Sequence, residues 1–201
     1  MLAAIPVNIR SGRLPEANGE RTLKTLFHGD PMLILPYRGT RPTIHAEAFI
    51  APTATVIGDV TIGRGSSIWF GCTVRGDVHE IRIGEDTNIQ DHSVIHVTSG
   101  KFGTYIGSGI TVGHGAILHA CRLEDGCFIG MAATVMDGAV VESGAMVAAG
   151  ALVTPGKRVK AGELWAGNPA KFLRPLRPEE IAHFATSAAN YAALGAEYLR
   201  A

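Results

Sequence analysis

The sequence lacks an excess of charge of either sign, because 18 lysine and arginine residues are balanced by 18 aspartate and glutamate residues. A balanced chain offers no electrostatic basis for binding nucleic acid or an anionic membrane. Long apolar runs are also missing, since no segment approaches the roughly 20 residues that span a bilayer. The N-terminus has no extended apolar core of the secretory type. We therefore expect no nucleic-acid partner and no membrane association.

Cysteine is scarce as well. The chain has three, Cys72, Cys121 and Cys127, and no two of them form a C-x-x-C pair. An odd number without such a pair argues against a disulfide framework and favours reduced thiols in a reducing compartment. The expected location is therefore cytoplasmic.

Aromatic residues make up only 6% of the chain, whereas glycine is plentiful, with 25 evenly spread residues. This spacing indicates a turn every few residues. Between the turns an aliphatic residue recurs at every sixth position, with small breaks in register. The repeats begin at Ile44, Ile50, Val56, Ile62, Ile68, Val74, Ile83, Ile89, Ile95, Ile106, Val112, Leu118, Leu123, Ile129, Val135, Val141, Val147 and Val153.

A period of six matches neither the period of about 3.6 of a helix nor the period of about 2 of a strand. It predicts an all-β parallel β-helix, in which each hexad forms one short strand and one corner. Three hexads complete a triangular coil, so these hexads give about six coils, stacked about 4.8 Å apart. The alternative is a β-sandwich of alternating strands, which the length of the repeat disfavours.

The predicted β-helix occupies residues 32–176, between two segments without the repeat. Residues 1–31 are an unassigned N-terminal extension. Residues 177–201 are predicted to form a C-terminal helix packed on the prism, because Pro178 followed by two glutamates suits a first helical turn. The apolar residues of that helix recur on one face, at Ile181, Phe184, Ala188, Tyr191 and Tyr198.

Three histidines, His96, His114 and His119, have a spacing that suits neither a helix nor a strand as a metal site. The β-helix resolves part of this difficulty. His96 and His119 each follow the inward residue of hexads that lie three apart, so they are predicted to stack on one face, one coil apart. That separation lets two imidazoles converge on one Zn²⁺ ion. His114 belongs to a hexad on a different face.

A neighbouring copy of the chain can supply the third imidazole. If one face packs against a different face of the next copy, cyclic symmetry closes the assembly as a homotrimer. The face of His114 also carries Trp69 and Phe70, outward aromatic residues that need cover. We therefore expect metal sites between subunits.

Other polar residues fall into the same files. Arg75 follows the inward residue one coil before His96, and Asp91 takes the position one coil before His114. The alternative is a set of unrelated surface histidines, but a file that holds Arg75, His96 and His119 favours ligation of a metal. Polar groups of two faces are expected to converge at the subunit interface.

With these motifs the sequence resembles the γ-class carbonic anhydrase family, over residues 32–200. The hexads alone are less specific, since many acyltransferases share them. The resemblance implies a left-handed β-helix that forms a homotrimer and interconverts CO2 and bicarbonate. The matching motifs are VRGD at 74–77, NIQD at 88–91, VIHV at 94–97 and VGHGAILH at 112–119.

The resemblance also implies a metal site. His96, His114 and His119 would bind Zn²⁺, although Fe²⁺ or Co²⁺ also suits three imidazoles. A metal-bound hydroxide would then hydrate CO2, since the metal lowers the pKa of its water to about 7. Tyr191, from the C-terminal helix, would approach the pocket.

Five further residues receive supporting roles from the resemblance. Arg75 and Asp77 would form an ion pair at the interface. Gln90 would orient the reacting water and CO2. Asn88 and Asp91 would support the site.

The sequence departs from the archaeal branch of that family, which carries an acidic loop with a glutamate that exports protons and a second glutamate directly after its Arg-Gly-Asp. Here Val78 follows Asp77, and only TSGKFGTY at 98–105 follows the first histidine motif. His79 is the nearest titratable substitute, because an imidazole exchanges protons near neutral pH.

Two other functions stay open. One is an acyl-CoA-dependent acyltransferase of the same fold, for which the GNPAK segment at 167–171 is evidence. Such an enzyme needs a histidine base without a metal. The other is a catalytically weak, metal-binding scaffold subunit, which the missing proton-export glutamate favours.

Overall fold

The structure, a computed structural model, describes residues 33–200. The predicted N-terminal extension, residues 1–31, lies outside the described residues. Strands run from Leu33 to Pro175 and are followed by one helix. The fold is a left-handed parallel β-helix of about seven turns with a C-terminal helix, as the hexads and the resemblance predict. The strands continue past the counted hexads at both ends, which gives the additional turn.

Each turn contributes one strand to each of three faces, named A, B and C. Strands β4 and β6 run round a corner, so that their first halves belong to face A and their second halves to face B. Face A contains β1 (Leu33–Leu35), β4 (Thr55–Ile62), β6 (Thr73–Ile83), β8 (Val94–His96), β11 (Ile117–His119), β14 (Thr134–Val135) and β17 (Leu152–Val153).

Face B continues the same sheet. It contains β2 (Thr43–Ile44), the second halves of β4 and β6, β9 (Thr104–Ile106), β12 (Arg122–Leu123), β15 (Val140–Val141) and β18 (Arg158–Val159). Face C is a separate sheet. It contains β3 (Phe49–Ile50), β5 (Ser67–Ile68), β7 (Asn88–Ile89), β10 (Thr111–Val112), β13 (Phe128–Ile129), β16 (Met146–Val147), β19 (Glu163–Ala166) and, antiparallel at its end, β20 (Lys171–Pro175).

The interior of the prism is a stack of aliphatic side chains from the first position of each hexad. Val74, Ile95 and Leu118, on successive turns of face A, are fully buried. Burying an aliphatic side chain of this size contributes about 1.5–3 kcal/mol. The six-residue pattern therefore determines which side chains point inward and which remain outside for chemistry.

The C-terminal helix, α1 (Pro178–Tyr198), begins where the sequence predicts it. Pro178 occupies the first turn, and the backbone N–H of Arg177 donates to the Glu180 carboxylate at 2.9 Å. The helix packs on strands β3, β5, β7 and β10 of face C. Gly195 is buried there, where an added Cβ would lie 3.4 Å from Ser67. The helix therefore lies close against face C.

Candidate metal centre

Two of the three predicted ligands lie side by side on face A. His119 pairs with His96 in the register of β11 and β8, one turn apart. Nδ1 of His96 is 3.2 Å from Nε2 of His119. Two nitrogens bound to one tetrahedral Zn²⁺ would be about 3.3 Å apart, given Zn–N bonds of about 2.0–2.1 Å. The predicted stacking of these two histidines is confirmed, and their separation suits a shared cation.

In both imidazoles, the outer nitrogen, which faces away from the other ring, is hydrogen-bonded to a carboxylate. Nδ1 of His119 lies 2.7 Å from Asp137 Oδ1, and Nε2 of His96 lies 3.0 Å from Asp77 Oδ1. A carboxylate accepts, so each neutral imidazole carries its proton on the outer nitrogen. In a pair of neutral imidazoles, the two inner nitrogens then face each other with their lone pairs. A cation between them would use both lone pairs, so the donor set fits a metal.

The two carboxylates stay ionised. Burial alone would raise the pKa of Asp77, but hydrogen bonds from His96 and Arg75 outweigh it and lower that pKa below its ordinary value. Burial likewise opposes ionisation of Asp137, whose pKa is nevertheless lowered by hydrogen bonds from Thr98 and His119. Each carboxylate is therefore a permanent acceptor for an imidazole N–H.

Arg75 forms an ion pair with Asp77 within the same chain, and its side chain stays 41% exposed. Both belong to β6, on the turn before His96. Asp77 thus connects the guanidinium to an imidazole. The predicted ion pair is present, and its position at a subunit interface stays a prediction.

His114 lies apart from this pair, on the turn that follows β10 of face C. Its Nδ1 is 2.8 Å from Asp91 Oδ2. The two residues occupy equivalent positions on consecutive turns, as predicted. Among residues 33–200, no three His, Cys, Asp or Glu side chains surround a common point. Within the described chain, His96 and His119 are therefore paired and His114 stands apart from them.

A cleft of about 360 Å³ lies between face C and helix α1, and His114, Gln90 and Tyr191 line it. Gln90 is buried, and its Nε2 donates to Asn88 Oδ1 at 3.1 Å. Burial, and to a smaller extent the charge of Asp91, raises the pKa of Tyr191, so its hydroxyl keeps its proton at neutral pH. The structure thus brings three predicted site residues to one cleft, and Asn88 is hydrogen-bonded to one of them, Gln90.

The helix covers the aromatic residues that were expected to mark an interface. Trp69 is buried, with its ring centroid 5.4 Å from those of both Tyr191 and Tyr198. The ring centroid of Phe70 lies 6.0 Å from that of Tyr198. The expectation that a neighbouring copy covers Trp69 is wrong, because helix α1 of the same chain buries it; Phe70 is only half-buried, and its cover by a neighbouring copy stays a prediction.

Several contacts were not anticipated from the sequence. Asp137, one turn after His119 on face A, holds that imidazole and accepts a hydrogen bond from Thr98. Its position two residues after inward Val135 was the available sign. His79 lines a separate cleft of about 410 Å³ with Asp77, and its Nδ1 accepts from the Glu80 N–H at 2.9 Å. Its role in proton export stays a prediction.

In the part of the chain that the structure describes, no helix has both the length and the apolar character required to cross a bilayer. The family model for the bacterial transferase hexapeptide (six repeats) matches residues 41–76. A structure of a hexapeptide transferase family protein from Anaplasma phagocytophilum is 52% identical, with a TM-score of 0.80 over 83% of this chain and 98% of that one.

Curated relatives point to one family. The chain is 57% identical over 158 residues to gamma carbonic anhydrase 1, mitochondrial, of Arabidopsis thaliana, which covers 76% of the chain and 58% of that relative. It therefore spans just over half the length of this plant protein. It is 43% identical over 166 residues to carbonic anhydrase of Geobacillus kaustophilus, covering 83% of the chain and 91% of the relative. The chain belongs to the γ-class carbonic anhydrase family.

Proposed function

We propose that this protein catalyses the metal-dependent, reversible hydration of CO2 to bicarbonate, at sites shared between the subunits of a homotrimer. The observation that carries the proposal is the pair of imidazole nitrogens 3.2 Å apart, each imidazole held from behind by an ionised carboxylate. Relatives named carbonic anhydrase support a metal and CO2 as substrate. Zn²⁺ is the proposed metal, with Fe²⁺ or Co²⁺ also suited to the donor set.

The proposed ligands are His96 and His119 of one subunit and His114 of the partner subunit. A divalent cation with three imidazole ligands lowers the pKa of a water molecule to about 7 and so supplies a nucleophile at neutral pH. Asp137 and Asp77 keep the two imidazoles of face A in the tautomer that can bind a cation, and Asp91, 2.8 Å from His114 Nδ1, is placed to do so for His114.

Exposed apolar side chains near both parts of the site support the trimer. Val94 and Ile117, paired on face A beside the two histidines, are 40% and 43% exposed. Met131, which lines the cleft of His114, is 58% exposed. An interface that joins face A of one copy to the His114 side of the next would cover all three and bring the imidazoles together.

The remaining residues would hold substrate. The Gln90 amide, buried and oriented by Asn88, offers hydrogen bonds to the reacting water or to CO2. Tyr191 forms an aromatic wall of the same cleft. Arg75, with its exposed guanidinium, would attract bicarbonate while its ion pair holds Asp77 against His96. His79 is the proposed proton acceptor, since it shares a cleft with Asp77.

Stopped-flow CO2 hydration on the zinc-loaded and iron-loaded protein tests the proposal. His119→Ala should abolish turnover and reduce bound metal. His45→Ala is the matched control, because His45 is exposed and its ring accepts from the Glu47 N–H, away from the site. A wild-type rate of CO2 hydration equal to that of His119→Ala would refute the proposed enzymatic activity.

The same samples separate the competing functions. A metal-replete trimer without CO2 hydration would identify a metal-binding scaffold subunit. The acyltransferase is favoured by one observation, the 52% identity to a hexapeptide transferase family protein. Saturable binding of coenzyme A to a metal-free protein would support it. The cytoplasmic location is proposed from the reduced cysteines alone, and the plant relative is named as mitochondrial.

A further inference from the structure

A chain of hydrogen bonds leads from helix α1 to the amide at the bottom of the cleft. Ser187 Oγ lies 3.0 Å from Thr111 Oγ1, which accepts from Asn88 Nδ2 at 3.0 Å. Asn88 Oδ1 in turn accepts from Gln90 Nε2 at 3.1 Å. The sequence gives no sign of this chain, because Ser187 and Thr111 are 76 residues apart.

The donors and acceptors give this series of hydrogen bonds a direction. Asn88 Nδ2 donates both to Thr111 Oγ1 and to the Ile110 carbonyl at 3.3 Å. The Thr111 hydroxyl therefore accepts a hydrogen bond from Asn88, and it can donate its own proton to Ser187 Oγ, the other partner among the described residues. Asn88 then presents its oxygen to Gln90. Gln90 donates through its nitrogen and keeps its oxygen free for the cleft.

Burial makes that orientation depend on the partners. Thr111, Asn88 and Gln90 are 2%, 1% and 5% exposed, so the hydrogen bonds among them largely decide how each side chain is oriented. Without the Ser187 acceptor, the Thr111 hydroxyl can turn its proton towards Asn88. That turn would weaken the bond from Asn88 Nδ2 to Thr111 Oγ1 and leave the Ile110 carbonyl, at 3.3 Å, as the remaining acceptor that orients the Asn88 amide. A less firmly held Asn88 would loosen the orientation of Gln90.

We propose that Ser187 is a positioning residue, which acts through Thr111 and Asn88 to fix the orientation of the Gln90 amide in the cleft. The inference rests on the proposed function for its consequence, namely that an oriented Gln90 assists CO2 hydration. It gives helix α1 a role in the site beyond covering the aromatic residues of face C.

Selective labelling tests the orientation without any need for activity. Gln90 is the only glutamine in the chain, so ¹⁵N-glutamine gives one side-chain amide signal pair. Ser187→Ala should shift that pair and speed its hydrogen exchange at least tenfold. Ser187→Thr, which retains the hydroxyl, should restore the wild-type signals. Thr186→Ala is the control, because the Thr186 hydroxyl is bonded to the Ala182 carbonyl of its own helix. Unchanged Gln90 signals in Ser187→Ala would overturn the proposal.

Kinetics then test the consequence. Ser187→Ala should lower kcat/KM about tenfold, the effect of losing one ordinary hydrogen bond, with metal content and Tm as in Thr186→Ala. In a Gln90→Ala background the same change should have no further effect. A full tenfold loss in that background would show that Ser187 does not act through Gln90. A wild type without CO2 hydration would refute the proposed function, and the labelling result would still decide the positioning role.

Discussion

His96 and His119 lie on consecutive turns of one face, with Nδ1 of the first 3.2 Å from Nε2 of the second. The outer nitrogen of each imidazole is hydrogen-bonded to a carboxylate. In the neutral rings, the two inner nitrogens therefore direct their lone pairs at one point. Such an arrangement is unfavourable alone and favourable around a cation. The hexapeptide period produces it, because three hexads return the chain to the same face one turn higher.

The first prediction concerns the carboxylate behind His119. Asp137→Asn should weaken zinc binding by about 10–100-fold, since an amide no longer fixes the imidazole tautomer. Competition with a coloured chelator measures the change. Asp125→Asn is the control, because that exposed carboxylate accepts from the Ser108 N–H at a distant corner. Equal affinities in the two variants would contradict the assigned role.

The second prediction compares two glycines at corners. Gly58 has φ +76°, and an added Cβ would lie 2.3 Å from the Gly76 carbonyl oxygen; Gly109 has φ +65° and open space around it. Gly109→Ala should cost only the strain of a left-handed residue, about 1–2 kcal/mol. Gly58→Ala should cost clearly more, since backbone must move. Calorimetry at one protein concentration measures the loss of stability in both variants. A smaller loss for Gly58→Ala than for Gly109→Ala would refute the close packing of Gly58 against the Gly76 carbonyl.

The third prediction concerns the thiols. Burial raises the pKa of Cys72 to about 11 and that of Cys121 to about 12, and it raises the pKa of Cys127 further. None should react with Ellman's reagent at pH 8 in the folded protein, and all three should react in denaturant. The stability that these protonated thiols contribute should fall as pH rises above about 8.5, where the unfolded thiols ionise. Rapid labelling of a native thiol would contradict this.

The fourth prediction concerns the start of helix α1. Hydrogen bonds from Arg174 and then from Arg177 hold the pKa of Glu180 well below its ordinary value. A lowered pKa contributes stability above the unfolded value of about 4.3, and that stability is lost as pH falls below it. Glu180→Gln should therefore lower Tm at pH 7, and the difference should shrink at pH 3. A difference that stays constant with pH would refute this ion pair.

Much of the fold and part of the site follow from the sequence, since the hexads specify both the inward stack and the files of outward side chains. His96 and His119, and Asp91 and His114, could be paired by counting positions alone. The residues that cover Trp69 could not be predicted, because the helical pattern at 178–200 does not show which face of the β-helix the helix covers. Packing of Tyr191 and Tyr198 on face C decides that question.

Residues that position another side chain, rather than contact metal or substrate themselves, also could not be predicted from the sequence. Asp137 looks like an ordinary corner residue until the turn brings it to Nδ1 of His119. Ser187 and Thr111 meet only because the helix returns to face C. Such contacts depend on tertiary packing, for which the six-residue period contains no information.

Complementation between two inactive variants tests the shared metal site most directly. His119→Ala and His114→Ala chains, each with a different tag, should separately lack CO2 hydration and bind little metal. In trimers that carry both tags, one interface joins an intact His96–His119 pair to an intact His114. These trimers should bind one ion and recover about one third of wild-type activity. Mixed trimers as inactive and metal-free as the two parents would contradict a site shared between subunits.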